Sequence, residues 1–471
     1  MKANIFFGSN EVSSESYVDR KSPFSSEVVS QSALCSVSDV EKALSIASHA
    51  TKEAAKSTIS QRCSWLLDVA SKLREQKEEF ARTITDEVAK PISAARIEVD
   101  RAIETITLSA ETMRTMSGET INTDAMPSGR KTTAFFKRVP CGVVVAITPF
   151  NFPLNLTAHK LAPALVAGNC VVLKPTPEAP LTSYKFAKLF IQSEYAIKDA
   201  LSVVYGDAEV GGALVSSIIP RVISFTGSVP VGNIITKSAG IKKIALELGG
   251  NAATFIDSSA DLELASDRCA IGAFANSGQV CISLQRIYVH EDIYDTFAQK
   301  LVEKAEKLKV GSPYEDDTFM SSLIDDEAIN RASSWVTSAI KEGARALTPI
   351  KSEGRIFNPC VMADVTDDMN IICEEAFAPI VSLVKVKTFD DAIIKMNNSP
   401  YGLQFSIFTN SLKNTQIAID ELDAGGVVVN DMPTLRFDIA PYGGMKLSGV
   451  GREGPRFAIE EMSEIKSIVI V

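Results

Sequence analysis

Apolar residues recur at helical spacing through the first quarter of the chain and then change period. Val40, Leu44 and Ala47 share one helical face, and Ser38 with Glu41 has the spacing of a capping box at its start. Two longer helical patterns follow, over 59–88 and 92–116, parted by Pro91, which cannot continue a helix. A polar stretch over 117–128 ends the pattern. From residue 142 the apolar runs become short and β-rich, at 143–147, 170–173, 201–205, 222–225 and 244–248. Helical segments bounded by turn residues lie between them, such as 156–167 closed by Gly168. Strands apolar on both faces that alternate with helices predict a parallel sheet covered on both sides. The fold class is therefore α/β, with a doubly wound sheet of the nucleotide-binding kind. After Gly249-Gly250 the alternation resumes near 253–256, 286–290, 380–386, 406–409 and 426–430, a second α/β domain. A β-branched run at 467–471 cannot stand alone and predicts pairing with another strand, within the chain or across a subunit boundary.

Composition narrows the class. A length of 471 residues predicts two or three domains. The formal charge of −10 argues against nucleic acid and against an anionic membrane surface as partners. No apolar stretch approaches the roughly 20 residues of a membrane span, and the N-terminal apolar run is too short for a signal peptide. The eight cysteines include no CxxC pair, and no two of the three histidines stand at metal-ligand spacing. This predicts reduced thiols, a cytoplasmic location and no metal site.

Candidate chemistry sits at strand ends. Glu247, at the tip of a β-branched run before two glycines, is a candidate general base. Cys281, 34 residues later between a Gly-Gln turn and an apolar run, is a candidate nucleophile. A Cys-His dyad stays open on sequence alone. Asn151 lies in a loop held by Pro149 and Pro153, where an amide suits an oxyanion hole or simply satisfies a turn. Lys174 ends another strand, within reach of a ribose or a phosphate, or else of solvent. Gly227 and Ser228, with Gly232 following, suit close approach of a pyrophosphate to a helix start. Glu375 beside Phe377 could clamp a ribose, or be an acidic helix end beside a core ring. Four glycines between Tyr442 and Glu453 suggest a backbone folded closely around something, or a linker.

Taken together, seven stretches in order (PFNFP from Pro149, KPTPEAP from Lys174, FTGS from Phe225, LELGG from Leu246, GQVC from Gly278, EEAFAP from Glu374 and PYGGMKLSGVGRE from Pro441) resemble the aldehyde dehydrogenase superfamily over essentially the whole chain. The lactaldehyde dehydrogenases are the members it most resembles. The resemblance implies a cofactor domain (1–121 and 141–248), a catalytic domain (249–440) and an oligomerisation arm (a hairpin within 122–140, with 460–471), hence a homodimer or homotetramer. It implies Cys281 as nucleophile, Glu247 as base for deacylation, and Asn151 with the Cys281 N–H as oxyanion donors. It implies NADP or NAD as cofactor, with Lys174 and Thr176 at the adenine ribose, Gly227 and Ser228 at the pyrophosphate and Val231 under the adenine. Ile147, Thr148, Pro149 and Phe150 line the same cofactor site, and Glu375 with Phe377 clamps the nicotinamide ribose.

The implied reaction is oxidation of an aldehyde to a carboxylic acid through a cysteine thiohemiacetal and thioester. A free thiol of pKa about 8.5 is only a few per cent thiolate at neutral pH, and a helix start beside Cys281 would raise that share. Three positions depart from the family pattern: Phe150 replaces a usual tryptophan, Asn251 replaces a usual lysine, and Pro177 stands where many NAD-preferring members carry glutamate. The last favours acceptance of NADP, against which Glu178 next door weighs. Arg101 and Arg436 match arginines that line the substrate mouth in members acting on anionic aldehydes, though Arg101 equally fits a helix salt bridge. Small hydroxy- or anionic aldehydes, such as lactaldehyde or glyceraldehyde 3-phosphate, are the expected substrates. Glu247 favours free acid over the alternative of a coenzyme-A-acylating semialdehyde dehydrogenase. A non-catalytic structural relative would be expected to lose Cys281 or Glu247.

Overall fold

Strand order places the site before any side chain is considered. In the computed structural model, which describes residues 1–471, the first sheet has eight strands. They run Gly449–Val450, Lys243–Glu247, Val222–Thr226, Val143–Ile147, Cys170–Lys174, Leu201–Val203, Ile5–Phe7 and Asn10–Val12. The five strands from Lys243–Glu247 to Leu201–Val203 are mutually parallel. Their order reverses between Val143–Ile147, first of the five in sequence, and Val222–Thr226, the fourth. A doubly wound sheet opens a ligand crevice at the carboxyl ends beside such a reversal, here at Thr148 and Gly227.

The second sheet has seven strands, six of them parallel from Cys360–Ala363 to Gly426–Val429, with Leu284–His290 and Ala252–Ile256 near the centre. One core of 87 buried residues joins the two halves, running from Val40 and Leu44 through Val143–Ala146 to Val336 and Ile380. Packing on that scale holds the two sheets in one fixed relation, and with it the cleft between them. Residues 441–453 return from the second half to the first sheet, where Gly449 and Val450 pair with Glu247 and Leu246. The glycine-rich stretch is thus a closed sheet edge rather than a linker.

Three local expectations change. The first helix spans Val37–Lys56, and its capping box is Ser36 with Asp39, two residues earlier than Ser38 with Glu41. Val40, Leu44 and Ala47 are buried as the spacing requires. The pattern over 59–88 is two helices, Ile59–Glu75 and Lys77–Val88, broken at Gln76 with no proline or glycine to mark it. Of the hairpin placed within 122–140, Thr133–Pro140 is a regular strand, touched by residues 119–121 through one bridge and two backbone hydrogen bonds. The C-terminal run extends to Ser463–Ile470 and pairs antiparallel with Thr133–Pro140 over eight residues of the same chain. No helix is long and apolar enough to cross a membrane.

Candidate active site

The tip of the strand Lys243–Glu247 is drawn toward the second sheet by the two glycines that follow. A Cβ on Gly249 would lie 2.2 Å from Glu375 Oε2, and one on Gly250 would lie 2.2 Å from the Cys281 carbonyl oxygen. Only glycine lets the chain pass between them, so this turn brings Glu247, Glu375 and Cys281 to one place. Cys281 does not sit at a helix start. It follows the short turn Ala275–Gly278, in which Asn276 and Ser277 adopt left-handed φ of 52° and 57°, and precedes the strand Leu284–His290. Burial pushes its thiol up to about 12, against a lowering hydrogen bond from Tyr442 and the charge of Arg436. Its Sγ lies 3.1 Å from Tyr442 Oη, so its polar partner is a phenol and not a histidine.

Asn151 is buried beside the same turn. Its Nδ2 donates to the Gln279 carbonyl at 3.1 Å and its Oδ1 accepts from Phe152 N–H at 3.1 Å. An amide nitrogen carries two hydrogens, so one remains for a ligand. The Glu247 carboxyl is buried, and its Oε2 has no hydrogen-bond partner. Burial, and then the charge of Glu453, raise its pKa well above the usual carboxylate range. A Cβ on Gly443 would come within 2.9 Å of Glu247 Oε1, so glycine there leaves room for the carboxyl.

A cleft of about 860 Å³ runs from Cys281 and Glu247 to the reversal point of the first sheet. Every predicted catalytic and cofactor residue borders it: Ile147 to Asn151, Lys174, Thr176, Gly227, Ser228, Val231, Glu247, Cys281, Glu375 and Phe377. Ser228 caps the ten-residue helix Val229–Ser238 without a side-chain capping bond, so the free N–H groups of its first turn suit an anion. Gly232 serves packing instead of ligand approach, since a Cβ there would meet the Leu248 side chain at 2.7 Å. Val231 and Ile234 stay exposed on the cleft wall, an apolar seat for a flat base. The hydroxyls of Thr148 and Thr226 are buried there without partners. Lys174 is nearly buried, and desolvation lowers its pKa against the charges of Glu178 and Asp207. Glu178 contacts the Thr176 hydroxyl and also lines the cleft.

Toward the active-site end, Glu375 Oε1 accepts from Gly250 N–H at 2.9 Å, and burial pushes this carboxyl up to about 7. Phe377 is held at φ 46°, its ring edge-on to Phe150 at 5.9 Å. Asn251 acquires a role here: its Nδ2 donates to the carbonyls of Ile372 and Glu374, fixing the segment that presents Glu375. Unpartnered hydroxyls, an open helix start, a lysine and an apolar seat in one elongated cleft fit a dinucleotide.

Arg101 and Arg436 lie outside this cleft, in a largely buried ionic cluster beside Tyr442. Arg101 binds Asp438 through two nitrogens at 2.8 and 2.9 Å, a partner 337 residues away rather than a carboxylate of its own helix. Arg436 donates to Glu453 Oε2 at 3.1 Å and lies over the Tyr442 ring at 3.7 Å from its centroid. Lys160 reaches Glu453 at 3.2 Å, and His159 Nε2 meets Asp438 Oδ1 at 2.9 Å. Burial, then Arg436, lower the His159 pKa and keep the ring neutral. Arg101, Arg436 and Lys160 thus face the carboxylates of Asp438 and Glu453, and the charges of Arg436 and Lys160 also act on Glu247. Nothing in the periodicity points to Tyr442, His159, Asp438 or Glu453; these contacts span long sequence separations, and the one available signal is polar side chains in the otherwise apolar and glycine-rich runs around them.

Comparison with known proteins places this fold in a family. The family described as "Aldehyde dehydrogenase family" matches residues 10–468. A 3-sulfolactaldehyde dehydrogenase of Priestia aryabhattai is 43% identical, covering 92% of this chain and 90% of its own. A lactaldehyde dehydrogenase of Methanococcus aeolicus is 39% identical, covering 96% and 97%. Among solved structures, a glyceraldehyde-3-phosphate dehydrogenase of Methanocaldococcus jannaschii complexed with NADP is similar at a TM-score of 0.93 and 37% identity, covering 96% of this chain and 98% of that one.

Proposed function

This chain belongs to the aldehyde dehydrogenase family, and on that premise we propose that it oxidises a small hydroxylated or anionic aldehyde to the free carboxylic acid through a covalent intermediate on Cys281. It is an NAD(P)-dependent oxidoreductase acting on small aldehydes. The observation that carries the finer reading is the single cleft in which Cys281 and Glu247 adjoin a dinucleotide-shaped wall.

In the proposed sequence the Cys281 sulfur bonds the aldehyde carbon, and the carbonyl electron pair moves to oxygen. That oxyanion is held by the spare Asn151 Nδ2 hydrogen and the Cys281 N–H, where loss of one donor costs about 2.7–4 kcal/mol in comparable sites. A nicotinamide held by Glu375 and Phe377 would accept the hydride when the C–H bond of the aldehyde carbon breaks and the oxyanion's electron pair re-forms C=O. A thioester is left on Cys281. Glu247, once ionised, takes a proton from water as the water oxygen bonds the acyl carbon and the Cys281 sulfur leaves. Free acid is the product.

The substrate reading rests on charge. The guanidinium of Arg436, buried beside Tyr442 and next to Cys281, favours a substrate with an anionic or hydroxylated tail. The relatives named for sulfolactaldehyde, lactaldehyde and glyceraldehyde 3-phosphate act on aldehydes of that description by their names. NADP or NAD serves as cofactor: Pro177 removes one carboxylate from beside Lys174, and Glu178 restores one nearby. We read the eight unpaired cysteines as those of a reducing compartment, the cytoplasm. The strand Ser463–Ile470 exposes Ile465, Val469 and Ile470, an apolar edge expected to be covered by a second copy in a homodimer or homotetramer.

A panel of small aldehydes, assayed with NAD and NADP, with and without coenzyme A, tests the whole reading. Wild type is expected to turn over hydroxylated or anionic aldehydes without coenzyme A, and Cys281→Ala to lose at least about a thousandfold in kcat. Retained oxidation in Cys281→Ala, or an absolute need for coenzyme A, would overturn it.

A further inference from the structure

Tyr442 lies 161 residues from Cys281 in sequence and in contact with it in space. Its backbone N–H donates to the Glu453 carbonyl at 3.1 Å, and its own carbonyl accepts from Glu453 N–H at 2.6 Å, an antiparallel bridge that fixes the residue. Its side chain packs with Ile282 and Leu403. The Arg436 guanidinium covers the ring at 3.7 Å from the centroid. Its phenol oxygen has one side-chain partner, the Cys281 sulfur at 3.1 Å.

Between a neutral thiol and a phenol, either atom can donate. Once the sulfur is a thiolate, only the phenol still has a proton to give, and that bond is charge-assisted. A cation over the aromatic face draws on the ring electrons and makes the O–H a better donor. We propose that Tyr442 is a further catalytic residue, whose O–H donates to the Cys281 sulfur, favours thiolate over thiol and holds it at the cleft. The thiol proton leaves to solvent and the phenol keeps its own. The contribution matters because burial holds the thiol near 12, so most of the sulfur is protonated at neutral pH. Any group that favours the thiolate raises the reactive fraction in proportion. Arg436 then acts at two points, through its charge on the sulfur and through the ring it covers.

The inference deepens the proposed function and rests on Cys281 as nucleophile. It is tested apart from turnover, by iodoacetamide alkylation of the Cys281 peptide across pH in enzyme without aldehyde or cofactor. Tyr442→Phe keeps the ring and removes the donor. Its alkylation is expected to be about tenfold slower on the rising limb, equivalent to a thiol pKa about one unit higher. Replacing Tyr442 by 3-fluorotyrosine, a more acidic phenol that keeps the fold, is expected to shift the limb the opposite way. Superimposable limbs for wild type and either variant would overturn the proposal. That failure would leave Cys281 as nucleophile intact, whereas oxidation surviving in Cys281→Ala would remove the nucleophile and leave the hydrogen bond standing.

Discussion

Residue identity decides the chemistry here because burial sets the resting protonation of both reacting groups. Burial pushes the Cys281 thiol up to about 12, and burial with the nearby Glu453 raises the Glu247 carboxyl well above the usual carboxylate range. A base must be ionised to take a proton from water, so thioester hydrolysis is expected to rise with pH through the raised Glu247 value. The slope should be about tenfold per pH unit until the carboxylate forms. Deacylation followed by stopped flow across pH should show it in wild type and lose it in Glu247→Gln. A flat profile in wild type would mean that Glu247 is already ionised or is not the base. Cys281, Glu247 and Asn151 stand out in the sequence as candidates beside turns, and it is the family resemblance, not the local residues, that gives them their implied roles. Tyr442 and the cluster around Arg436 do not, since pairs such as Arg101 with Asp438 close only when distant segments fold together. The salt-bridge alternative for Arg101 is the right kind of contact with a partner from a distant segment, Asp438, whereas no carboxylate partner is expected for Arg436, which Glu453 engages.

At the scale of elements, the alternation of apolar runs and helices exposes the sheets almost strand by strand, because a strand buried on both faces needs uninterrupted apolar residues. Val143–Ile147 and Ile380–Val386 fall where the runs predict. Helix starts and breaks are less legible. Ser36 with Asp39 and Ser38 with Glu41 have the same i, i+3 spacing, and only backbone geometry separates them; at Ser36 the φ of −99° and ψ of 172° are those of a cap. Ser36→Ala is therefore expected to cost about 1 kcal/mol of local stability, and Ser38→Ala to change little. Hydrogen exchange of the first-turn amides reads this directly: about fivefold faster exchange in the first variant alone, whereas equal effects would restore the Ser38 assignment. The edge pairing of Gly449–Val450 with Leu246–Glu247 is invisible in two-residue strands, yet it braces the strand that carries Glu247.

For the molecule as a whole, two parallel sheets share one core; the carboxyl end of a strand in the first supplies the base, and the turn leading into a strand of the second supplies the thiol. Neither half contains the reaction. The fold class follows from periodicity, whereas the juxtaposition follows from how Gly249 and Gly250 steer the chain between Glu375 and Cys281, a contact no single segment encodes. If the acyl group passes through Cys281 and leaves by Glu247, removing the base should strand it. The decisive measurement is the mass of Glu247→Gln after brief exposure to a small hydroxyaldehyde with NADP. An adduct of acyl mass on the peptide bearing Cys281 is expected. Wild-type turnover by this variant with an unmodified Cys281 peptide would contradict the covalent route.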